Sequence, residues 1–183
     1  MARVFYAFRG RVCLKIALKA LGVKAGDYVA CQAFTCIAVP DAIESLGAIP
    51  IFIDIEKDTL SISKIYLNLK INKKIKALII QHTYGIKCDL KSIYKICSNY
   101  SIPIIEDNCH LPFSIKDDTK FKYSSLQFYS FEWGKPFPHG LGGALVVKDK
   151  NLSRKCNELI IKLKKPTFMA ILKIEIQYYA FKF

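Results

Sequence analysis

Short apolar runs alternate with longer segments of helical apolar spacing from residue 3 to about residue 150, and few architectures accommodate that pattern. The runs are Val4 to Phe8, Tyr28 to Cys31, Pro50 to Ile53, Ala77 to Gln81, Ile102 to Glu106, Leu126 to Phe131 and Ala144 to Val147. They are short, continuous and rich in β-branched or aromatic residues, as strands covered on both faces are. Between them, Arg11 to Leu21 puts Val12, Leu14, Ile16, Ala17, Leu18 and Leu21 largely on one side, pairs Lys15 with Lys19 on the other, and stops at Gly22. Thr35 to Leu46, Ser61 to Ile71 and Asp89 to Tyr100 read the same way, the last with an aspartate placed to cap its first amides. Seven strands with helical crossovers predict a three-layer α/β/α domain around one mainly parallel seven-stranded sheet.

The pattern changes after Asn151. Leu152 to Lys164 reads as a helix, Pro166 breaks it, and Phe168 to Phe183 follows with apolar residues on every side. That last segment is too apolar for a solvated helix and calls for a partner surface, a membrane interface or a missing domain. The expected organisation is therefore a domain over residues 1–150 and a helical segment over 151–183.

Hydrophobic residues make up 52% of the 183, which is enough for a real core and excludes disorder. The net charge of +13 raises the question of nucleic acid or a lipid surface. The lysines are spread over helix faces, with one denser patch at Lys70, Lys73, Lys74 and Lys76, and no nucleic-acid motif accompanies them. A solvated basic surface is the better reading, with no nucleic-acid partner. No apolar stretch is long enough to span a membrane, and the start lacks the order of a signal peptide. Seven scattered cysteines, an odd number, read as reduced core thiols of a cytoplasmic protein. The three histidines stand apart, which leaves no metal-ligand spacing.

Ligands of parallel α/β sheets bind beyond the carboxyl ends of the strands, so the residues there carry the functional argument. The Ile102 run ends in Glu106, Asp107, Asn108, Cys109 and His110; the Ala77 run in Gln81 and His82; the Leu126 run in Ser130, Glu132 and Lys135; the first in Arg9, Gly10 and Arg11. Asp107 emerging from an apolar strand needs a partner, and a helix cap serves as well as a cationic ring nitrogen of a ligand. His110 alone reads more readily as a structural histidine. Lys135 lies in a Gly134-Lys135-Pro136 turn before a glycine-rich stretch, where backbone approaches a ligand closely and a partly dry amine is able to form a Schiff base. By itself the same turn reads as a surface lysine.

Taken together, five pieces in one order are specific. They are Gly10-Arg11 opening a helix that ends LKALGVKAGDYV; AFTCIAVPDAIESLGAIPIFIDIEKDTLSI; QHTYGIKCDL; IIEDNCH; and FYSFEWGKPFPHGLGGALVV. From residue 3 to about 160 the chain resembles the large domain of the DegT/DnrJ/StrS aminotransferases, pyridoxal-phosphate enzymes that mostly aminate keto groups of nucleotide-linked sugars. The resemblance implies pyridoxal 5'-phosphate as cofactor, a nucleotide sugar as substrate and an amino donor, usually glutamate. It makes Lys135 the Schiff-base lysine and the acid/base for the proton shift. Asp107 would pair with the pyridine nitrogen, and His110 would lie by the ring on its 3-hydroxyl side. Ser130 and the amides of Gly10 and Arg11 would bind the phosphate, a use that suits a helix amino end. Phe34 or Cys36 would lie over the ring face, where many relatives have an aromatic at the Cys36 position.

Family chains are roughly twice as long, with a small domain that closes over the substrate and a site built across a homodimer. The expectation is thus a large domain alone, completed by a dimer mate or a second chain. Two alternatives are a catalytically inactive fragment and a non-catalytic basic protein of membrane surfaces or binding. A pure scaffold has no need for Asp107, His110, Ser130 and Lys135 together, which weighs against the last.

Overall fold

The computed structural model describes residues 2–113 and 122–180. In chain order the elements are β1 (Arg3–Ala7), α1 (Gly10–Ala20), β2 (Tyr28–Gln32), α2 (Ala38–Glu44), β3 (Ile49–Ile53), α3 (Lys64–Lys70), β4 (Ile75–Gln81), α4 (Leu90–Ser98), β5 (Ile104–Asp107), β6 (Leu126–Ser130), β7 (Gly143–Val147), α5 (Lys150–Ile161) and α6 (Phe168–Ala180). A single 3₁₀ turn, Thr83–Gly85, follows β4.

The strands form one seven-stranded sheet in the order β1-β7-β6-β5-β4-β2-β3. β2, β3, β4, β5 and β6 pair in parallel, and β7 runs antiparallel to both β6 and β1. β1 therefore points the same way as the parallel set. The segments that follow β1, β2, β4, β5 and β6 all emerge at one edge of the sheet, and every sequence-predicted ligand residue lies in one of them or, like Asp107 and Ser130, closes the strand before it.

Alternate side chains of each strand serve opposite faces. Ala77 and Ile79 of β4, Ile105 of β5 and Phe128 of β6 pack with α1, α2 and α5, where Leu14, Leu18 and Ile43 are fully buried. Leu78 and Ile80 of β4 and Ile104 of β5 pack with α3 and α4 through Leu67, Ile93 and Cys97. This two-sided burial explains why the strands read as continuous apolar runs. Burying a Leu or Ile contributes about 1.5–3 kcal/mol, so Leu14 and Leu18 alone fasten α1 firmly over the sheet. α5 joins the same layer as α1 through buried Cys156 with Leu152, Leu159 and Ile160.

Several boundaries differ from the sequence expectation, and for three of them the structure shows a specific partner. α2 starts at Ala38 rather than Thr35, because Thr35 Oγ1 turns away to donate to Gln81 Oε1 at 2.6 Å. α3 starts at Lys64 rather than Ser61, because Ile55 and Ile62 form an antiparallel bridge and Glu56 N–H donates to the Ser61 carbonyl at 2.9 Å. β5 starts at Ile104, just past Pro103, whose carbonyl accepts from Leu78 N–H. The Asp89 cap forms as expected, with its carboxylate accepting from Ser92 N–H at 3.2 Å.

α6 exposes Phe168, Met169, Ile171, Ile176 and Tyr179. Phe181 and Phe183, at the end of the anticipated helix, lie outside the described residues. Among those that are described, no helix is long and apolar enough to cross a membrane.

Candidate active site

The site begins where β1 turns into α1. Arg9 is the N-cap in an extended conformation, no side chain caps the helix, and its first turn holds no acidic residue. The partial positive charge of the helix end is thus left for an outside anion. Gly10 opens the helix directly against the end of β6. A Cβ on Gly10 would stand 2.7 Å from Ser130 Cβ and 3.2 Å from Ser130 Oγ, and a Cβ on Gly143 would stand 2.7 Å from Gly10 N and Cα. Only glycine permits this approach, which brings the Ser130 hydroxyl to the helix amino end.

Asp107 closes β5 and is 4% exposed. Its carboxylate accepts from Cys109 N–H at 2.9 Å, the tight local turn that a capping aspartate makes. Burial pushes the carboxyl above its usual range, while the Cys109 hydrogen bond and the charges of Lys135 and His110 pull it back. His110 lies in the turn after β5. Its Nδ1 accepts from Tyr84 N–H at 3.0 Å, and its ring stacks on Tyr84 at 5.7 Å with planes 3° apart. Burial, then the Lys135 charge, lowers its basicity, against the opposing pull of Asp107. Lys135 sits in the loop between β6 and β7, in a turn closed by its own N–H donating to the Glu132 carbonyl at 3.0 Å.

These groups line one pocket. Gly10, Arg11 and Ser130 meet there with Asp107, His110 and Lys135, and Cys36 borders the same space from the segment before α2. Phe34 does not. Its ring stands edge-on to Tyr84 at 6.3 Å, outside the pocket wall and 46% exposed. The segment after β2 turns so that Cys36, two residues on, takes the place at the wall.

Three further wall residues stood among the strand-end residues noted in the sequence but were given no role there. Gln81, at the end of β4, is buried and bonds both Thr35 and Thr83. Glu132 borders the pocket and faces Arg9 at 3.8 Å. Their positions at strand ends were the available signal. Cys109, between Asp107 and His110, carried no signal beyond that of a core thiol.

The arrangement is a buried carboxylate, an amine and an uncapped helix end around one space, on a sheet edge built for ligands. The profile of the DegT/DnrJ/EryC1/StrS aminotransferase family matches residues 9–166. The chain belongs to this family. GDP-perosamine synthase of Escherichia coli O157:H7 is 36% identical over 149 residues, and that of Vibrio cholerae 33% over 151. These matches cover 80% and 82% of this chain but 41% of each of those enzymes, so the chain spans about two fifths of the length of the relatives it matches. The crystal structure of NtdA from Bacillus subtilis with bound cofactor PMP superposes with a TM-score of 0.79 at 28% identity, covering 90% of this chain and 38% of that one. The seven-stranded fold of this family member is therefore the fold of solved aminotransferases.

Proposed function

We propose that this family member is the cofactor-binding domain of a pyridoxal-phosphate-dependent aminotransferase that moves an amino group, from glutamate, to the keto group of a nucleotide-linked sugar. The observation that carries the proposal is the convergence of Asp107, Lys135 and the uncapped start of α1 on one pocket. The residues present fit the cofactor. A phosphate needs anion-binding donors, and the Gly10 cradle supplies a helix end beside the Ser130 hydroxyl with no side chain filling the space. A pyridine ring needs a carboxylate, and Asp107 is buried at the pocket wall.

Bound there, pyridoxal phosphate supplies the carbonyl that carries the amino group and the protonated ring that draws off electrons. The chain's own groups do the rest. The Asp107 carboxylate holds the proton on the ring nitrogen; burial makes an isolated negative charge there unfavourable, and a cation beside it reverses that preference. Lys135 Nζ binds the cofactor and then takes up and returns the proton that moves during transfer. Ser130 Oγ and the amides of Gly10 and Arg11 hold the phosphate. His110 and Cys36, which line the same pocket, would border the cofactor there.

The relatives named GDP-perosamine synthase support the nucleotide-sugar class. The exposed apolar surface of α6 supports completion of the site by a homodimer mate or a further chain. Seven free cysteines support a reducing, cytoplasmic setting. The test is a half-reaction: the cofactor-loaded protein is mixed with L-glutamate, and 2-oxoglutarate is measured while the visible absorbance is followed. The proposal expects one equivalent of 2-oxoglutarate with bleaching of the absorbance, both lost in Lys135→Ala. Absence of product from the loaded wild type, or product from Lys135→Ala, contradicts it.

A further inference from the structure

The turn between β4 and α4 handles two imidazoles in the same way. Cys88 N–H donates to His82 Nδ1 at 3.2 Å, and Tyr84 N–H donates to His110 Nδ1 at 3.0 Å. A ring nitrogen that accepts from an amide carries no proton, so in both rings the proton sits on Nε2. For His82 that proton has a buried destination, since Nε2 lies 3.1 Å from Glu106 Oε2 with side-chain exposures of only 3% and 5%. Glu106 Oε1 accepts from Ser124 Oγ and, at 3.0 Å, from Gln127 Nε2. A carboxylate so deeply placed persists only when such donors surround it.

Neither Glu106 nor His82 borders the pocket, and successive residues of a strand face opposite ways, so Glu106 lies across β5 from Asp107. Yet both are tied to the pocket by the backbone. His82 N–H donates to the Asp107 carbonyl at 3.3 Å, and the turn that starts at His82 carries Tyr84 to His110. Inside this turn Tyr84 and Gly85 have φ of 52° and 85°. A left-handed tyrosine persists only where its surroundings over-determine it. Here the surroundings are the His82 ring at one end of the turn, bonded to Glu106 and to Cys88 N–H, and the His110 ring stacked on Tyr84 itself.

We propose that the buried His82–Glu106 pair clamps the 83–88 turn so that Tyr84 N–H holds His110 in its Nε2–H tautomer, leaving Nε2–H as a fixed donor for an oxygen acceptor of the ligand. His82, Glu106 and Tyr84 are then positioning residues acting through His110. The identity of the acceptor, the ring hydroxyl of the cofactor, rests on the proposed function; the clamp does not.

The full chain contains three histidines, so imidazole ¹⁵N labelling gives a spectrum simple enough to read. In the cofactor-free wild type, His82 and His110 should each show one protonated Nε2 and one bare Nδ1, with scalar coupling across the hydrogen bond from Tyr84 N to His110 Nδ1. Glu106→Ala strands the His82 proton and should turn His110 into a mixture of tautomers while His139 stays unchanged. Glu106→Gln retains an acceptor and should restore the single tautomer. A wild-type His110 protonated on Nδ1 or already mixed overturns the proposal, as does an unaltered His110 in folded Glu106→Ala. Should that variant not fold, His82→Lys keeps a donor to Glu106 but has no acceptor for Cys88 N–H, and an unaltered His110 there overturns the clamp equally. None of these readings uses the cofactor. A clamp that holds while Lys135 fails to bind it removes only the functional proposal, and the reverse removes only the clamp.

Discussion

Substituting Gly10 by alanine would put a methyl 2.7 Å from Ser130 Cβ and 3.2 Å from Ser130 Cα and Oγ. A strand residue's Cα and Cβ do not swing aside as a side-chain tip does, so α1 must lift from the end of β6. Overpacking of this kind costs about 1–3 kcal/mol, and the gain in helix propensity returns at most about 1 kcal/mol. At the middle of that overpacking range the net loss is about 1–2 kcal/mol, a fall in Tm of roughly 2–8 °C for a chain of this size. Lifting the helix also separates its amides from the Ser130 hydroxyl. Losing one charge-assisted hydrogen bond, about 1.5–3 kcal/mol, weakens pyridoxal phosphate binding by roughly ten- to a hundredfold. Thermal melts of the cofactor-free protein and titration of the visible absorbance read the two effects separately. Gly134→Ala is the control, because a Cβ there meets nothing within 4 Å and should change stability by no more than about 0.5 kcal/mol. Unchanged Tm and affinity in Gly10→Ala, or equal damage from Gly134→Ala, would refute the reasoning.

Asp107 gives a pH prediction. Burial raises its carboxyl above 3.8, so between that value and the folded one the native state binds more protons than the unfolded chain. The stability this contributes is full below the unfolded value and lost as pH rises through the folded one. Cofactor-free Asp107→Asn should therefore be more stable than wild type in urea melts at neutral pH, with the gap closing in acid; a gap of opposite sign sinks the assignment. Alkylation supplies a second check. Burial pushes the thiols of Cys13, Cys31, Cys88 and Cys97 up to about 12, while Cys36 is exposed at the pocket wall. Native protein should take up one equivalent of iodoacetamide, on Cys36, more slowly when pyridoxal phosphate is present, and labelling elsewhere or indifference to the cofactor contradicts this. Lys135→Ala should leave urea stability within about 0.5 kcal/mol of wild type, since the side chain is only partly buried; a large loss would show a structural role instead.

What the sequence made legible follows from what is local. Continuous apolar runs announced the two-sided strands, and Gly22 and Asp89 marked helix ends, because propensity and capping act within a few residues. Residues at strand ends could be placed on one edge once the sheet was inferred parallel, and so Gly10, Ser130, Asp107 and Lys135 were found together. The contacts that remained hidden join residues far apart in sequence. Nothing local indicates that Gly10 must admit Ser130, that Glu106 faces inward to His82, or that Tyr84 reaches His110. Phe34 illustrates the same limit: an aromatic beside the site looked suited to cover a ring, but the path of the segment after β2 gives its ring to Tyr84 and leaves Cys36 at the wall. Thr35 was read as the start of a helix, and only its distant partner Gln81 explains why α2 begins later.

The most direct test of the central claim is to mix the purified chain with pyridoxal phosphate, reduce with borohydride and map the modified peptide. A yellow species reduced to one stable adduct on Lys135, absent in Lys135→Ala, is the result the account predicts. No adduct, or labelling scattered over the other lysines, would contradict it.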